Sequence, residues 1–442
     1  MSSIHVPSEI PTRFLAKKTP IVAGVLFLIG LAAFVLTLMR DPAQAWRAYV
    51  VAWLYFLCIS AGAVTVAVVT WIVKAKWNWS VRRVSLSFVA YLPIAFLLFL
   101  PMLTLGGDYF PWVGLMDSDP IVARKAAYLN LPFLTARGVV GLLLMIGMAV
   151  YFAMQALRPD MGLVKSSGAH EGDAGRTRWV ERLTQKWRGQ EAEETISYKR
   201  MTTMAPAYVM VYAVVMSFIS YDWIMSLEPH WFSTLFGGWF FMGALWGGFA
   251  VTALTTVLLK RADPEFDRAA GMQQLWDLGK LCFAFTVFWT YLFWSQYIVI
   301  WYGKLPWEQS WVVERSGERW SMVSLAMILL CFVLPFATLI GKRPKMIPGW
   351  LAMAASIILV GQWVWQYVMV VPSIHHEGAT LTIWEPLIAL MFLGLFIGSV
   401  RWFLSTFPII QVWQPMVDPE SIEAEVGEDA SAWKRHGHVM HG

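Results

Sequence analysis

The sequence is poor in the residues that build covalent and metal-bound redox centres. It contains three cysteines, Cys58, Cys282 and Cys331, which lie in apolar runs and form no CxxC motif. This number and spacing exclude a disulfide framework, an iron–sulfur cluster held by four thiolates, and a covalently attached c-type haem. The sequence also lacks a P-loop and a GxGxxG motif after a strand, so we expect neither kind of nucleotide site.

Histidine is scarce in the apolar part of the chain. None of the eight histidines falls in the middle of a long apolar run: His5, His170, His230, His375, His376, His436, His438 and His441. A haem b within a membrane needs axial ligands, usually histidines, that face each other from helices. We therefore expect no intramembrane haem of the usual kind. The last three histidines could bind a metal, but a polar tail offers no groups to orient them, and we expect no metal there.

Charged residues are scarce as well. Asp, Glu, Lys and Arg make up 14% of the 442 residues, whereas apolar residues make up 58%, and the mean hydropathy is +0.55. Soluble domains carry about 25% charged residues, so this chain has too little polar surface to cover a water-soluble body. The composition predicts an all-α polytopic membrane protein.

Ten apolar runs are long enough for a helix to cross a hydrocarbon core of about 30 Å. The predicted spans are 21–38, 47–73, 84–105, 131–157, 204–225, 231–259, 279–301, 320–340, 347–371 and 384–404. The first run follows a basic stretch, as the core of a signal peptide does. It is longer than a typical signal core and belongs to a series of ten, so we expect it to be retained.

Lysine and arginine are distributed unequally between the two sides of the predicted spans. With the N-terminus inside, the inner segments carry 25 of the 34 and the outer loops carry 7, while Arg137 and Lys280 lie within spans. The positive-inside rule therefore predicts that both termini are cytoplasmic. Because the basic residues follow the inner membrane face, nucleic acid is not implied. The predicted layout is an N-terminal segment, 1–20, spans in 21–157, an inner loop, 158–203, spans in 204–411, and a cytoplasmic tail, 412–442.

The inner loop contains a candidate amphipathic helix. Trp179, Leu183 and Trp187 are spaced four residues apart, which puts them on one face of a helix with basic residues on the other. Such a helix is typical of segments that lie on an anionic membrane surface. The alternative is a helix that packs on a neighbouring subunit.

Polar residues approach the membrane mainly at the outer ends of the spans. The candidates are Arg137, Asp222, Glu228, His230, Gln296, Tyr297, His375, His376, Glu377 and Glu385. Ionisable residues in spans are costly and mark functional sites by default. Their common depth predicts a polar cluster that serves as a proton path or a quinol headgroup site. The alternative is that each residue caps a helix or reaches the interface on its own.

The most specific prediction concerns Asp222, and we expect Arg137 and Glu385 to be its neighbours. A carboxylate in low-dielectric surroundings must be paired or protonated. On a proton route Asp222 would exchange its proton, whereas a pair with Arg137 would fix its charge. Lys280 and Asp277, at the inner end of the seventh span, are expected to be ordinary interface residues.

Tryptophan is abundant, with 26 copies, many of them at span ends. This placement is typical of the aromatic belts at the two membrane interfaces. The outer connection at 226–230 is very short, which predicts a rigid platform. We expect Trp231, Trp307 and Trp311 to anchor partner proteins on this side, because aromatic residues often do so at interfaces.

Two segments carry a family resemblance. They are Tyr221–Thr234, with the sequence YDWIMSLEPHWFST, and Phe293–Pro306, with the sequence FWSQYIVIWYGKLP. Together with ten spans, they resemble the ActF-type membrane subunit of bacterial alternative complex III, a quinol:electron-acceptor oxidoreductase. Its membrane subunits are similar to the NrfD/polysulfide-reductase membrane-anchor superfamily. The resemblance covers roughly residues 20–412.

The resemblance implies two four-helix bundles with flanking helices in a bacterial inner membrane. It implies a paralogous NrfD-like membrane subunit, and periplasmic iron–sulfur and multihaem cytochrome c subunits that carry the haem c and the clusters. Menaquinol or ubiquinol would be the substrate of the complex. In that family the paralogue is assigned the quinol site, and the ActF-type subunit is associated with a proton half-channel.

Three hypotheses follow. The first is a subunit of the quinol-oxidising complex that has no cofactor of its own and supports assembly, electron transport and proton translocation in the respiratory chain. The second is direct quinol binding by this chain. The third is a stand-alone secondary transporter, which would need polar sites and broken helices near the membrane midplane. The charges of this chain lie at the outer level instead, which favours the first hypothesis.

Overall fold

The computed structural model describes residues 18–107, 109–375, 378 and 381–413. Ten helices in this part of the chain are long and apolar enough to cross a membrane, which confirms the all-α polytopic fold class. Below, inner and outer denote the sides predicted from the basic residues. The spans, numbered one to ten, are Thr19–Arg40, Pro42–Ile72, Trp79–Thr104, Leu131–Ser166, Gln190–Leu227, Leu235–Ala262, Met272–Gly303, Ser321–Leu339, Pro348–Val370 and Trp384–Thr406.

Span two is the centre of the molecule. Its most apolar stretch is 94% buried, against 22% for spans one, seven and eight. It packs on spans one, three, five, six, nine and ten. A helix that is apolar on all sides is suited to such a position, because every face meets another helix.

Spans two to five form one four-helix group, spans six to nine form a second, and spans one and ten pair at the flank. The two groups meet where span two crosses span six. At this crossing Gly62 lies against the backbone of Ala244, and Gly248 lies against the backbone of Gly62. Gly30 and Gly394 give spans one and ten the same close approach. Small residues let membrane helices pack backbone to backbone, which is how these crossings form.

Span eight is not a regular helix. Its turn Leu329–Val333 is π-helical and lies just before Pro335, whose missing N–H interrupts the α-helical bonding. The inner part of span eight packs on both span seven and span nine. Its outer part, Ser321–Ile328, packs on span nine and on the short outer helix Pro306–Ser316. The outer halves of spans seven and eight therefore diverge.

The helix in the inner loop is shorter than the spacing of Trp179, Leu183 and Trp187 predicts. A helix forms over Ala174–Leu183, but Lys186 adopts a left-handed backbone conformation, so Trp187 lies beyond the end of the helix. The Trp179 ring packs edge-on against Trp402 of span ten, with 5.8 Å between ring centroids. The helix packs on span four, and Trp179 on its apolar face contacts span ten, so this face meets the chain's own spans.

Candidate functional site at the outer ends of the spans

The outer polar candidates form separate hydrogen-bonded sets, not one cluster. Asp222 bonds to Arg137, Glu228 to Arg315, His230 to Asp119, and Glu385 to Gln44 and Thr382. Gln296 and Tyr297 line a cavity. His376 and Glu377 lie outside the described residues.

Arg137 and Asp222 form a buried, two-pronged ion pair. Arg137 Nε donates to Asp222 Oδ2 at 3.1 Å, and Nη2 donates to Oδ1 at 2.7 Å. The guanidinium also bonds to the Tyr128 carbonyl at 3.1 Å, and its Cζ lies 3.9 and 4.2 Å from the ring centroids of Tyr128 and Phe133. The expected neighbour Arg137 is therefore present. This geometry joins span four to the outer end of span five.

Arg315 joins three outer elements. It lies in the short helix Pro306–Ser316, and its Nη1 donates to Glu228 Oε1 at 2.9 Å, in the turn after span five. Its Nη2 donates to the Ser373 hydroxyl at 2.6 Å, just after span nine. That hydroxyl donates to the same Glu228 oxygen at 2.6 Å. The three side chains form a closed triangle.

The remaining donors of Arg315 bond to backbone carbonyls. They reach Trp311 at 3.1 Å, Val368 at 3.0 Å and Met369 at 3.1 Å. The last two carbonyls lie in the final turn of span nine, where a helix leaves oxygens unpaired. Burial lowers the pKa of Arg315, and the charge of Glu228 opposes this shift. A guanidinium has five N–H donors, and in Arg315 all five are hydrogen-bonded. Arg315 therefore holds the three outer elements together.

His230 connects the outer turn after span five to the loop before span four. Its Nε2 lies 2.6 Å from Asp119 Oδ2. Asp119 also caps the short helix Pro120–Ala123, accepting from the backbone N–H groups of Ile121 and Val122. These backbone bonds, together with His230, lower the pKa of Asp119. The contact is half-exposed and fixes two outer connections to each other.

Glu385 occupies a different place from Asp222. It lies in the first turn of span ten, with 5% of its surface exposed. Its Oε1 accepts from Gln44 Nε2 at 2.8 Å, and its Oε2 accepts from the Thr382 backbone N–H at 2.9 Å and hydroxyl at 2.6 Å. Within the described part of the chain, the donors that contact this carboxyl are all neutral. Contrary to the expectation, Glu385 shares no hydrogen-bond partner with Asp222 among the described residues, because span ten packs on spans one, two and three, whereas Asp222 is paired with span four.

A cavity of about 350 Å³ lies among the outer halves of spans six to nine, where spans seven and eight diverge. Gln296 borders it, and its Oε1 accepts from the Ser233 hydroxyl at 3.0 Å. The segments Tyr221–Thr234 and Phe293–Pro306, which carry the family resemblance, both contribute to its wall. The aromatic lining residues are Trp231, Trp239, Phe293, Trp294, Tyr297 and Trp311.

Two indole N–H groups at this cavity have no acceptor in the described part of the chain. They belong to Trp231 and Trp239, whose side chains are buried. A buried donor without an acceptor costs about 1–3 kcal/mol. Both nitrogens are covered by protein, so the rings and not the N–H groups face the cavity. His375 Nε2 is likewise buried without a partner among the described residues.

Two of the three predicted docking tryptophans do not face outward. Trp231 and Trp311 are buried and stack on each other, with ring centroids 4.4 Å apart and planes 10° from parallel. They therefore cannot anchor a partner, because their rings already serve as each other's contact surface. Trp307, which is 52% exposed, remains available.

Several members of these sets are not evident from the sequence. Arg315 is only one of several outer charges there, and nothing local distinguishes Asp119, Gln44 or Ser373. The one local signal is the four-residue spacing of Trp311 and Arg315, which places both on one helix face. Among the described residues no three His, Cys, Asp or Glu side chains lie close enough to hold a metal.

Comparison of the chain with protein-family models and with curated proteins finds no match. The resemblance to the alternative complex III subunit therefore rests on the two sequence segments and on the span count.

Proposed function

We propose that this chain is a membrane subunit, without a redox centre of its own, of a multisubunit quinol:electron-acceptor oxidoreductase. The observation that carries the proposal is the convergence of the segments Tyr221–Thr234 and Phe293–Pro306. They lie 59 residues apart at their nearest ends, yet Ser233 of one bonds to Gln296 of the other at 3.0 Å. The segments that resemble the ActF-type subunit thus form one structural unit at the outer face.

The ion pairs of the outer face support a docking role. Arg137–Asp222, Arg315–Glu228 and His230–Asp119 each tie together elements that are distant in the sequence. Turns that are held together by ion pairs form a rigid surface, and a rigid surface loses little conformational entropy when a partner binds. Periplasmic iron–sulfur and cytochrome c subunits would dock on this face, beside the paralogous membrane subunit.

Purification in mild detergent tests this proposal. A tagged chain should co-purify with haem-containing and iron–sulfur subunits, whereas a colourless homo-oligomer would favour a stand-alone transporter. Trp307→Ala should loosen the complex, because it removes an exposed outer ring. Trp402→Ala is the matched control, since Trp402 is 43% exposed at the inner end of span ten. Equal effects of both changes would contradict docking at Trp307.

Glu385 is the better candidate for a proton-exchanging group within this proposal. Asp222 cannot take up a proton without leaving Arg137 unpaired, whereas Glu385 accepts from neutral donors only, among the residues that the structure describes. Glu385→Gln should allow assembly and quinol oxidation but reduce proton translocation in vesicles. An unchanged proton-to-electron ratio would rule out Glu385 as a proton carrier, without affecting the assignment as a subunit.

The cavity favours a second candidate function, quinol binding by this chain. Its aromatic walls suit a flat ring, and Gln296 at its border offers an amide group to an oxygen of that ring. The gap between spans seven and eight would admit such a ring from the membrane. The isoprenoid tail could remain in the lipid.

A pair of matched aromatic variants tests quinol binding. Trp239→Phe keeps an aromatic wall but removes one of its two fused rings, and it should weaken the binding of a short-chain quinone several-fold through lost ring contact. Trp365→Phe is the control, because it removes the same atoms from a ring whose centroid lies 4.9 Å from that of Trp239 but which does not line the cavity. Equal affinities for all three proteins would exclude the cavity as the site.

A further inference from the structure

Two lysines at the inner end of span seven share one tryptophan ring. Lys280 Nζ lies 4.3 Å from the centroid of Trp276, and Lys342 Nζ lies 4.6 Å from it. Lys280 and Trp276 belong to span seven, whereas Lys342 opens the short helix Lys342–Met346 between spans eight and nine. Tertiary packing therefore brings together two ammonium groups that are distant in the sequence.

A third lysine is buried beside this pair. Lys345 Nζ lies 4.7 Å from the Phe283 ring and 3.4 Å from the Ile340 carbonyl. The short helix approaches span seven at Gly279, where any side chain would overlap Lys345. Burial, and then the positive charge of Lys280, lower the pKa of Lys345. The third positive charge is thus held in place by packing.

The negative charge at this site does not balance the positive charge. Asp277 pairs with Lys280 at 2.6 Å and also accepts from Gln273 at 3.0 Å. Neither Lys342 nor Lys345 has a carboxylate partner among the described residues. Lysines that serve only as topology signals can spread into water. Like charges on one ring repel each other, so this arrangement calls for an added anion.

The surroundings of the lysines indicate which anion is available. Met272, Ile347 and Trp350 flank the site and are 59%, 45% and 49% exposed. Apolar side chains exposed at the end of a span face lipid, and a tryptophan beside lysines is typical of the headgroup level. Basic pockets between spans on the cytoplasmic side are suited to anionic headgroups.

We propose that Lys280, Lys342 and Lys345, arranged around Trp276, bind the phosphate headgroup of an anionic phospholipid at the inner membrane face. The ammonium groups donate to the phosphate oxygens, and the acyl chains lie along Ile347 and Trp350. The site is far along the chain from the outer polar sets. It does not depend on the proposed function.

Lipid retention by the purified protein tests the proposal. The protein is stripped by detergent exchange, offered cardiolipin or phosphatidylcholine, and examined by native mass spectrometry. The wild type should retain cardiolipin in preference to phosphatidylcholine. Lys280→Gln/Lys342→Gln should weaken cardiolipin retention roughly tenfold or more, and both side chains are exposed enough for the variant to fold. Unchanged retention would overturn the proposal.

Three further measurements test alternatives to a specific lipid site. A charge-matched variant tests general charge attraction, competition with phosphate tests a free-phosphate site, and deletion of the tail tests whether the tail occupies the site. Lys199→Gln/Arg178→Gln removes the same charge from exposed inner positions outside the site, and an equal loss of cardiolipin there would reduce the effect to general attraction. Displacement of the lipid by millimolar inorganic phosphate would indicate a free-phosphate site and overturn the lipid assignment. Residues 414–442 carry six acidic and two basic side chains. If the lysines affect lipid retention only after these residues are deleted, this acidic tail is the native occupant and the proposal fails.

Discussion

Arg137 and Asp222 face each other as a guanidinium and a carboxylate with two parallel hydrogen bonds, of 3.1 and 2.7 Å. The two residues are 85 positions apart, and their side chains are 9% and 3% exposed. Two-pronged pairs of this kind are stronger and more directional than single charge contacts. The pair therefore fixes the position of span four relative to the outer end of span five.

Asp222→Asn should destabilise the protein by about 3–5 kcal/mol, because it leaves the buried charge of Arg137 uncompensated. Thermal unfolding in detergent, with a readout of folded monomer, measures the loss. The double variant Arg137→Gln/Asp222→Asn should recover part of it, since no unpaired charge remains. A single variant as stable as the wild type would contradict a structural role for the pair.

Arg315→Lys should not be a conservative change. A lysine has three donors and cannot supply the five-bond pattern that reaches Glu228, Ser373 and the end of span nine. We expect a loss of about 2–4 kcal/mol from the acceptors left unpaired. Arg124→Lys, at an exposed outer position, should change the unfolding temperature little. Similar small effects at both positions would show that the triangle contributes little to stability.

The Asp119 carboxylate should make stability depend on pH at the acidic end. Its pKa lies below the ordinary value of 3.8 because the Ile121 and Val122 N–H groups and His230 contact it. A lowered folded-state pKa stabilises the protein above the unfolded pKa, and this stabilisation is lost as the pH falls through the folded pKa. In a His230→Gln background, the stability difference between Asp119 and Asp119→Asn should be constant above about pH 5 and shrink below about pH 4.

An absence of change in that difference between about pH 3 and pH 6 would contradict a lowered pKa for Asp119. The His230→Gln background matters because it removes the titration of the imidazole from the comparison. What remains is the contribution of the two backbone bonds at the start of the helix Pro120–Ala123.

Gly248→Ala should be severe, although it adds a single methyl group. A Cβ at this position overlaps the backbone of Gly62 and Ala63, which cannot move aside as a side chain would. We expect a loss of about 3 kcal/mol or more, or failure of spans two and six to pack. Gly147→Ala in span four has no neighbour within 4 Å and should stabilise its helix by up to about 1 kcal/mol. Unfolding measurements that rank the two variants alike would contradict the close crossing.

The ten spans were predictable because transfer of a helix into lipid depends on the local sum of side-chain hydrophobicity. Each predicted run overlaps one observed helix. The ends were less predictable. The apolar run predicts that span five begins at residue 204, yet its helix begins at Gln190. The added residues are polar, and a helix can continue into water without any apolar signal.

The pairing of charges was predictable only in part. Asp222 and Arg137 both lie within apolar runs, where each needs an opposite charge, so the sequence alone indicates them as partners. Arg315 lies in a loop by hydropathy, and a loop residue has no such need. Only the packing of the helix Pro306–Ser316 over span nine buries it beside Glu228.

The composition and the hydropathy of the sequence by themselves determined the class, the number of spans and their placement, because these depend on neighbouring residues in the chain. Tertiary packing decided which side chains face each other. Trp231, Trp307 and Trp311 have the same side chain, yet two stack in the interior and one is exposed. Neighbouring helices cover the rings of Trp231 and Trp311, whereas the ring of Trp307 lies at the outer surface.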